Sequence, residues 1–177
     1  MFTRTKNKPS KKESEQIKEL DLSRYSFVTK SCEELKKLGQ KIFEEEIGCL
    51  ILRKNNIGKT SIEQFTAFCQ TLNKAKLRIW HIDFNQLNSP SFSISHWEVL
   101  INTLQTLPDL ECLSLQYNDL NSLESKQFSA FLTLVAQSPK RCLITENKWE
   151  FDRWNEIICS NNNNKEEHEE HRTSLSP

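Results

Sequence analysis

Residues Leu110 to Leu120, LECLSLQYNDL, hold the pattern that most limits how this chain can fold. Apolar side chains fall at Leu110, Leu113, Leu115 and Leu120, with Asn118 between the last two. Three other stretches follow the same spacing: Ile47-Leu50-Leu52-Asn55-Ile57, Leu77-Trp80-Ile82-Asn85-Leu87 and Pro139-Cys142-Ile144-Asn147-Trp149. A degenerate first copy, Leu22-Tyr25-Phe27, carries Lys30 in the asparagine position. Copies therefore start at Leu22, Ile47, Leu77, Leu110 and Pro139, at intervals of 25, 30, 33 and 29 residues. The alternation inside each copy reads as a short strand, and the residues after it have helical spacing. Leu35, Leu38, Ile42 and Phe43 follow Ser31-Cys32-Glu33-Glu34, and Phe65, Phe68, Cys69 and Leu72 follow Ser61-Ile62-Glu63-Gln64. Ser95-His96-Trp97-Glu98 opens a third helix and Ser125 to Gln137 spans a fourth. Each opening has a capping residue, and in the first three an acidic or amide side chain stands three positions on. A short closing helix is expected over Phe151, Trp154, Ile157 and Ile158.

This motif and interval resemble the leucine-rich-repeat family, in its ribonuclease-inhibitor type. The resemblance covers about Leu22 to Cys159 and implies an α/β fold: a short solenoid of four to five repeats. A curved parallel sheet would line the concave side, with helices on the convex side. Each repeat has one apolar side that it can bury only against its neighbours. In that family the recurring asparagine bonds the backbone of the turn, so Asn55, Asn85, Asn118 and Asn147 are expected to form a ladder. The expected division is residues 1–20 as a polar basic leader and cap, 21–159 as the repeat domain and 160–177 as a disordered acidic tail. Trp149 and Trp154 are expected to cover the last repeat.

Composition narrows the function. Lys and Arg total 24 and Asp and Glu total 24, so no global field favours nucleic acid or a membrane surface. The six cysteines form no C-x-x-C and no close pair, which fits reduced thiols in a cytoplasmic protein. No stretch reaches the roughly 18 apolar residues of a membrane span, and the polar Met1–Ser10 is no secretory signal. A monomer is expected.

The chemical motifs are weak. Gly58-Lys59-Thr60 follows a strand, yet the phosphate-binding loop needs a glycine where Arg53 stands, so Gly58 reads as a bend. His81, His96, His168 and His171 lack zinc-ligand spacing. No nucleophile–base signature is present, and neither Cys49 nor Cys112 is marked as an activated thiolate. No cofactor, metal or catalytic residue is assigned.

What remains is protein binding. If Leu113 and Leu115 point inward, alternation sends Cys112, Ser114 and Gln116 to the concave face. The same register adds Arg24, Ser26 and Val28; Cys49, Ile51 and Arg53; Ile79, His81 and Asp83; and Arg141, Leu143 and Thr145. Lys54, Phe84, Tyr117 and Glu146 stand at the bends just beyond. Ile51, Ile79 and Leu143 are apolar where solvent is expected, and Phe84 and Tyr117 should be neighbours, rimmed by Arg53, Lys54, Asp83 and Glu146. That combination has the composition of a binding hot spot. Two other readings stay open: a ubiquitin-ligase adaptor docking through a helical region in residues 1–46, and an enzyme with a site in the insertion Asn88–Ser95. The tail places Glu166, Glu167, Glu169 and Glu170 before RTSLSP. It resembles the glutamate-rich C-terminal signals of type IVB (Dot/Icm) secretion substrates of intracellular bacterial pathogens. That resemblance implies a translocated effector that binds a host protein in the host-cell cytosol.

Overall fold

The computed structural model describes residues 17–137 and 141–150, together with Asp152, Arg153, Asn155 and Ile157. Five three-residue strands alternate with four helices. The strands are β1 (Glu19–Asp21), β2 (Cys49–Ile51), β3 (Ile79–His81), β4 (Cys112–Ser114) and β5 (Arg141–Leu143). The helices are α1 (Cys32–Glu44), α2 (Ile62–Thr71), α3 (Ile94–Gln105) and α4 (Ser125–Gln137). The sheet is parallel throughout, in the order β1-β2-β3-β4-β5, so each strand lies beside its sequence neighbour. Leu50, Trp80 and Leu113 align across it and sink into one core with Phe68, Leu100, Phe131 and the other apolar helix residues.

The first repeat sits five residues earlier than its sequence suggests. Leu20, not Tyr25, pairs with Leu50. The copy is therefore Ile17-x-x-Leu20-x-Leu22-x-x-Tyr25-x-Phe27, with Tyr25 in the asparagine's place. The strand crosses the expected boundary between residues 20 and 21. Arg24, Ser26 and Val28 accordingly leave the strand face. Arg24 and Ser26 stand in the bend at φ 64° and 61°, and Val28 lies in the 3-10 turn Phe27–Thr29. Glu19 and Asp21 take their places.

The asparagine ladder is present. The Oδ1 atoms of Asn85, Asn118 and Asn147 accept from the backbone N–H of Asn55, Asn85 and Asn118, at 2.9, 2.7 and 2.8 Å. Their Nδ2 groups donate to Leu52, Ile82 and Leu115 carbonyls of the preceding repeats. All four asparagines are fully buried. Each links two repeats through groups that would otherwise be unpaired in the core.

A second ladder runs along the helix starts. Ser31 and Glu34 form a capping box on α1, and Ser61 and Gln64 form one on α2. Gln64 also donates its Nε2 to the Lys30 carbonyl at 2.6 Å, one repeat back. His96 and Gln127 copy that reach, to the Thr60 carbonyl at 3.2 Å and the Phe92 carbonyl at 2.9 Å. The cap of α3 is Ser93, two residues before the expected Ser95. Phe92 draws it there by filling the core edge-on to Phe65 and Trp97. At the far end Trp149 stacks on Phe131 at 5.5 Å, while Trp154 lies outside the described residues.

Candidate functional site

The strand face turned away from the helices has rows set by the sheet pairing. One row runs Cys49, Ile79, Cys112 and the next Ile51, His81, Ser114, Leu143. Arg53, Asp83, Gln116 and Thr145 follow on the same face, two residues further along each repeat. Lys54, Phe84 and Tyr117 come next, at the bend, with φ of 58°, 57° and 57°. Glu146 holds the corresponding position in the last repeat. Positive φ is costly for these residue types, and here the repeat geometry imposes it at every bend from Arg24 to Tyr117.

Those bends bring together the residues the sequence singled out. The Phe84 and Tyr117 rings stack nearly parallel, with centroids 4.3 Å apart and 5° between their planes. Lys54 Nζ lies 5.0 Å from the Phe84 centroid. Phe84 is 38% exposed and Tyr117 45%, and they are two of the four large apolar side chains that are exposed among the described residues. Ile51, Ile79 and Leu143 are half-buried on the same face. Arg53, Thr145 and Glu146 are exposed, and Gln116 bonds Thr145 at 3.0 Å.

Two expected surface residues are corrected. Asp83 is only 2% exposed and Ser114 is fully buried. The Ser114 hydroxyl and the Gln116 N–H both donate to Asp83 Oδ1. Arg53 Nε donates to Oδ2 at 3.0 Å, and His81 Nδ1 stands 3.4 Å from the same oxygen. Burial alone would raise the Asp83 pKa. Hydrogen bonds from His81, Ser114, the Gln116 backbone and Arg53 outweigh it and hold the carboxyl below its ordinary value. Asp83 is thus the brace under the face, and Arg53 and His81 are what it presents.

Other candidates serve packing. Gly58 donates its N–H to the Asn85 carbonyl, and a Cβ there would overlap the Gln86 carbonyl; it is a close approach between repeats. Burial, then Glu19, push the Cys49 thiol up, the wrong direction for a nucleophile. Within residues 88–95, Phe92 lies in the core and Asn88 Nδ2 donates to the Ser122 hydroxyl at 3.0 Å. Residues 17–44, which an adaptor docking region would need, form the first repeat. Among the described residues no group of three or more His, Cys, Asp or Glu could hold a metal ion, and no helix is long and apolar enough to cross a membrane. Glu166, Glu167, Glu169 and Glu170 lie outside the described residues.

No protein-family model and no curated protein sequence matches the chain. Solved structures do. A structure titled as leiomodin-1 actin-binding site 2 superposes with a TM-score of 0.51 at 10% identity, over 88% of this chain and 85% of that one. The fold is leucine-rich-repeat-like. A tropomodulin C-terminal domain from Caenorhabditis elegans also matches, with a TM-score of 0.40, 12% identity and coverage of 82% and 99%.

Proposed function

We propose that this chain is a non-catalytic protein-binding unit that takes its partner on the strand face, at the bend row centred on Phe84 and Tyr117. The observation that carries the reading is the exposed, stacked pair. A soluble chain has no folding reason to hold two large rings in water, and a stacked pair is worth only about 0.5–1.5 kcal/mol beyond its burial. Rigid aromatic anchors flanked by charged side chains are the usual energetic centre of a protein interface. Arg53, held by Asp83, and Lys54, held on Phe84, supply part of that rim with their rotamers already restricted, which lowers the entropy cost of docking.

The leiomodin domain is titled an actin-binding site. A shared fold at this identity does not carry the partner across, so actin is simply the first defined probe. The test compares the unaltered chain with the Phe84→Ala/Tyr117→Ala double variant in co-sedimentation with actin filaments and in affinity capture from cell lysate. The expected result is a bound species lost from the double variant, whose unfolding midpoint stays near that of the parent. Equal capture by a folded double variant would move the site off this row. Delivery into a host cell rests on the tail's sequence alone and forms no part of this proposal.

A further inference from the structure

Four side chains stand at one bend position in consecutive repeats and share one backbone conformation. They are Arg24, Lys54, Phe84 and Tyr117, with φ of 64°, 58°, 57° and 57°. Backbone bonds keep neighbouring repeats in step there. The Arg24 N–H donates to the Arg53 carbonyl at 2.9 Å, that of Lys54 to Asp83 at 3.2 Å and that of Phe84 to Gln116 at 3.1 Å. All four side chains are exposed, so the row offers two cations followed by two rings. The rings stack on each other, but the cations have no carboxylate. Neither Arg24 nor Lys54 makes an ion pair or a side-chain hydrogen bond among the described residues. Lys54 Nζ stands over Phe84, a contact that is weak at an exposed site and leaves the ammonium charge in place.

The acids of the first three repeats on this face are engaged elsewhere. Asp21 accepts from the Ser23 N–H at 2.8 Å, and the bonds from Ser23, then the Arg53 charge, hold its carboxyl below the ordinary value. Asp83 is buried among Arg53, His81, Ser114 and Gln116, and Glu19 stands at the start of β1 beside Cys49. The second bend position adds no charge here, since it holds Ser26, Asn56 and Gln86. Exposed carboxylates follow at Asp119 and Glu146, in the fourth and fifth repeats. Two unpaired cations on a chain whose charges otherwise cancel, 24 against 24, are too few for a polyanion and suit a short acidic stretch. We propose that the partner is a protein that lays an acidic segment on Arg24 and Lys54, with an apolar side chain next to it on the Phe84 and Tyr117 rings. Adjacent repeats lie about 4.8 Å apart, so the two halves of the row fall within about 10 Å, the reach of roughly three extended residues. Asp119 and Glu146 repel the same acidic stretch, which fixes the direction in which it crosses the repeats. This rests on the binding reading above and names the chemistry of the partner at that site.

The test titrates a capped tetrapeptide, two glutamates followed by two phenylalanines, into the full chain and follows side-chain NMR signals. Its glutamine equivalent is the neutral control and its lysine equivalent the cationic one. Saturable shifts at Arg24, Lys54, Phe84 and Tyr117 are expected from the glutamate peptide. The glutamine peptide should bind about three- to tenfold more weakly, since exposed ion pairs each contribute little. An Arg24→Gln/Lys54→Gln chain, its unfolding midpoint near that of the parent, should bind the two peptides equally. Equal binding of both by the parent, tighter binding of the lysine peptide, shifts centred elsewhere or no shift overturns the proposal. Single-stranded oligouridylate that saturates these residues when the glutamate peptide does not would overturn it in favour of nucleic acid. The two readings separate in the capture assay. If Arg24→Glu/Lys54→Glu captures the partner as well as the parent while Phe84→Ala/Tyr117→Ala loses it, the binding row stands and the acidic segment falls. If neither variant loses it, the row itself falls.

Discussion

Asn85 and Asn55 occupy the same position in adjacent repeats, yet their side chains satisfy different numbers of buried groups. Asn85 Oδ1 accepts from the N–H groups of Asn55 and Ile57, and its Nδ2 donates to the Leu52 and Asp83 carbonyls. Asn55 Nδ2 reaches the Leu22 and Arg53 carbonyls, but its buried Oδ1 has no partner among the described residues. Tyr25 holds the asparagine position one repeat back, where its backbone N–H would donate to that oxygen, but the N–H turns to the Leu22 carbonyl instead. Each buried group left unpaired costs about 1–3 kcal/mol. Asn85→Ala should therefore destabilise the chain clearly more than Asn55→Ala, by about 2 kcal/mol or more on urea denaturation. Equal costs would contradict the ladder as described. The asparagines were legible in the sequence because the same residue recurs at one position in four copies. The burial of Asp83 and Ser114 was not. Alternation assigns a side chain to a face, but only the pairing of β3 with β4 shows that these two bond each other there.

Among the elements, the start of α3 carries the one buried titratable group in the helix-start ladder. His96 is buried, with Nδ1 accepting from the Ser93 N–H at 3.1 Å. Its Nε2 lies 3.2 Å from the Thr60 carbonyl, which can only accept, so the proton sits on Nε2 and the ring is neutral. Burial lowers the His96 pKa below 6.5, against smaller opposing effects from Thr60, Ser61 and Glu63. In the window below 6.5 the unfolded chain takes a proton that the folded chain refuses. Stability is thus complete above that value and falls as pH drops through it. His96→Gln restores the residue used at Gln64 and Gln127, with both bonds available and no titration. The parent should lose more stability than His96→Gln between about pH 7.5 and about pH 5, read as the shift in denaturation midpoint. Parallel losses would remove His96 from the account. This ladder had a sequence signal, Glu34, Gln64, His96 and Gln127 at intervals of 30, 32 and 31 residues, hidden by its change of residue type. The first repeat was misread for a different reason. Leu22-Tyr25-Phe27 has the same spacing as Ile17-Leu20-Leu22, so two registers fit, and only the pairing of Leu20 with Leu50 decides between them.

At the scale of the whole molecule, five repeats bury their apolar sides against one another and leave one row of bends in solvent. The aromatic rings in that row are the part of the surface that packing does not explain. Phe43, at the end of α1, offers a control, since it is 49% exposed and belongs to the helix layer on the other side of the sheet. The most direct measurement places a photoreactive benzoylphenylalanine at position 84 or at position 43, irradiates each full chain with its captured partner, and compares the covalent adducts. Adducts from position 84 and little from position 43 are the predicted result. Adducts from position 43 alone, or equal yields from both, would contradict binding on the strand face.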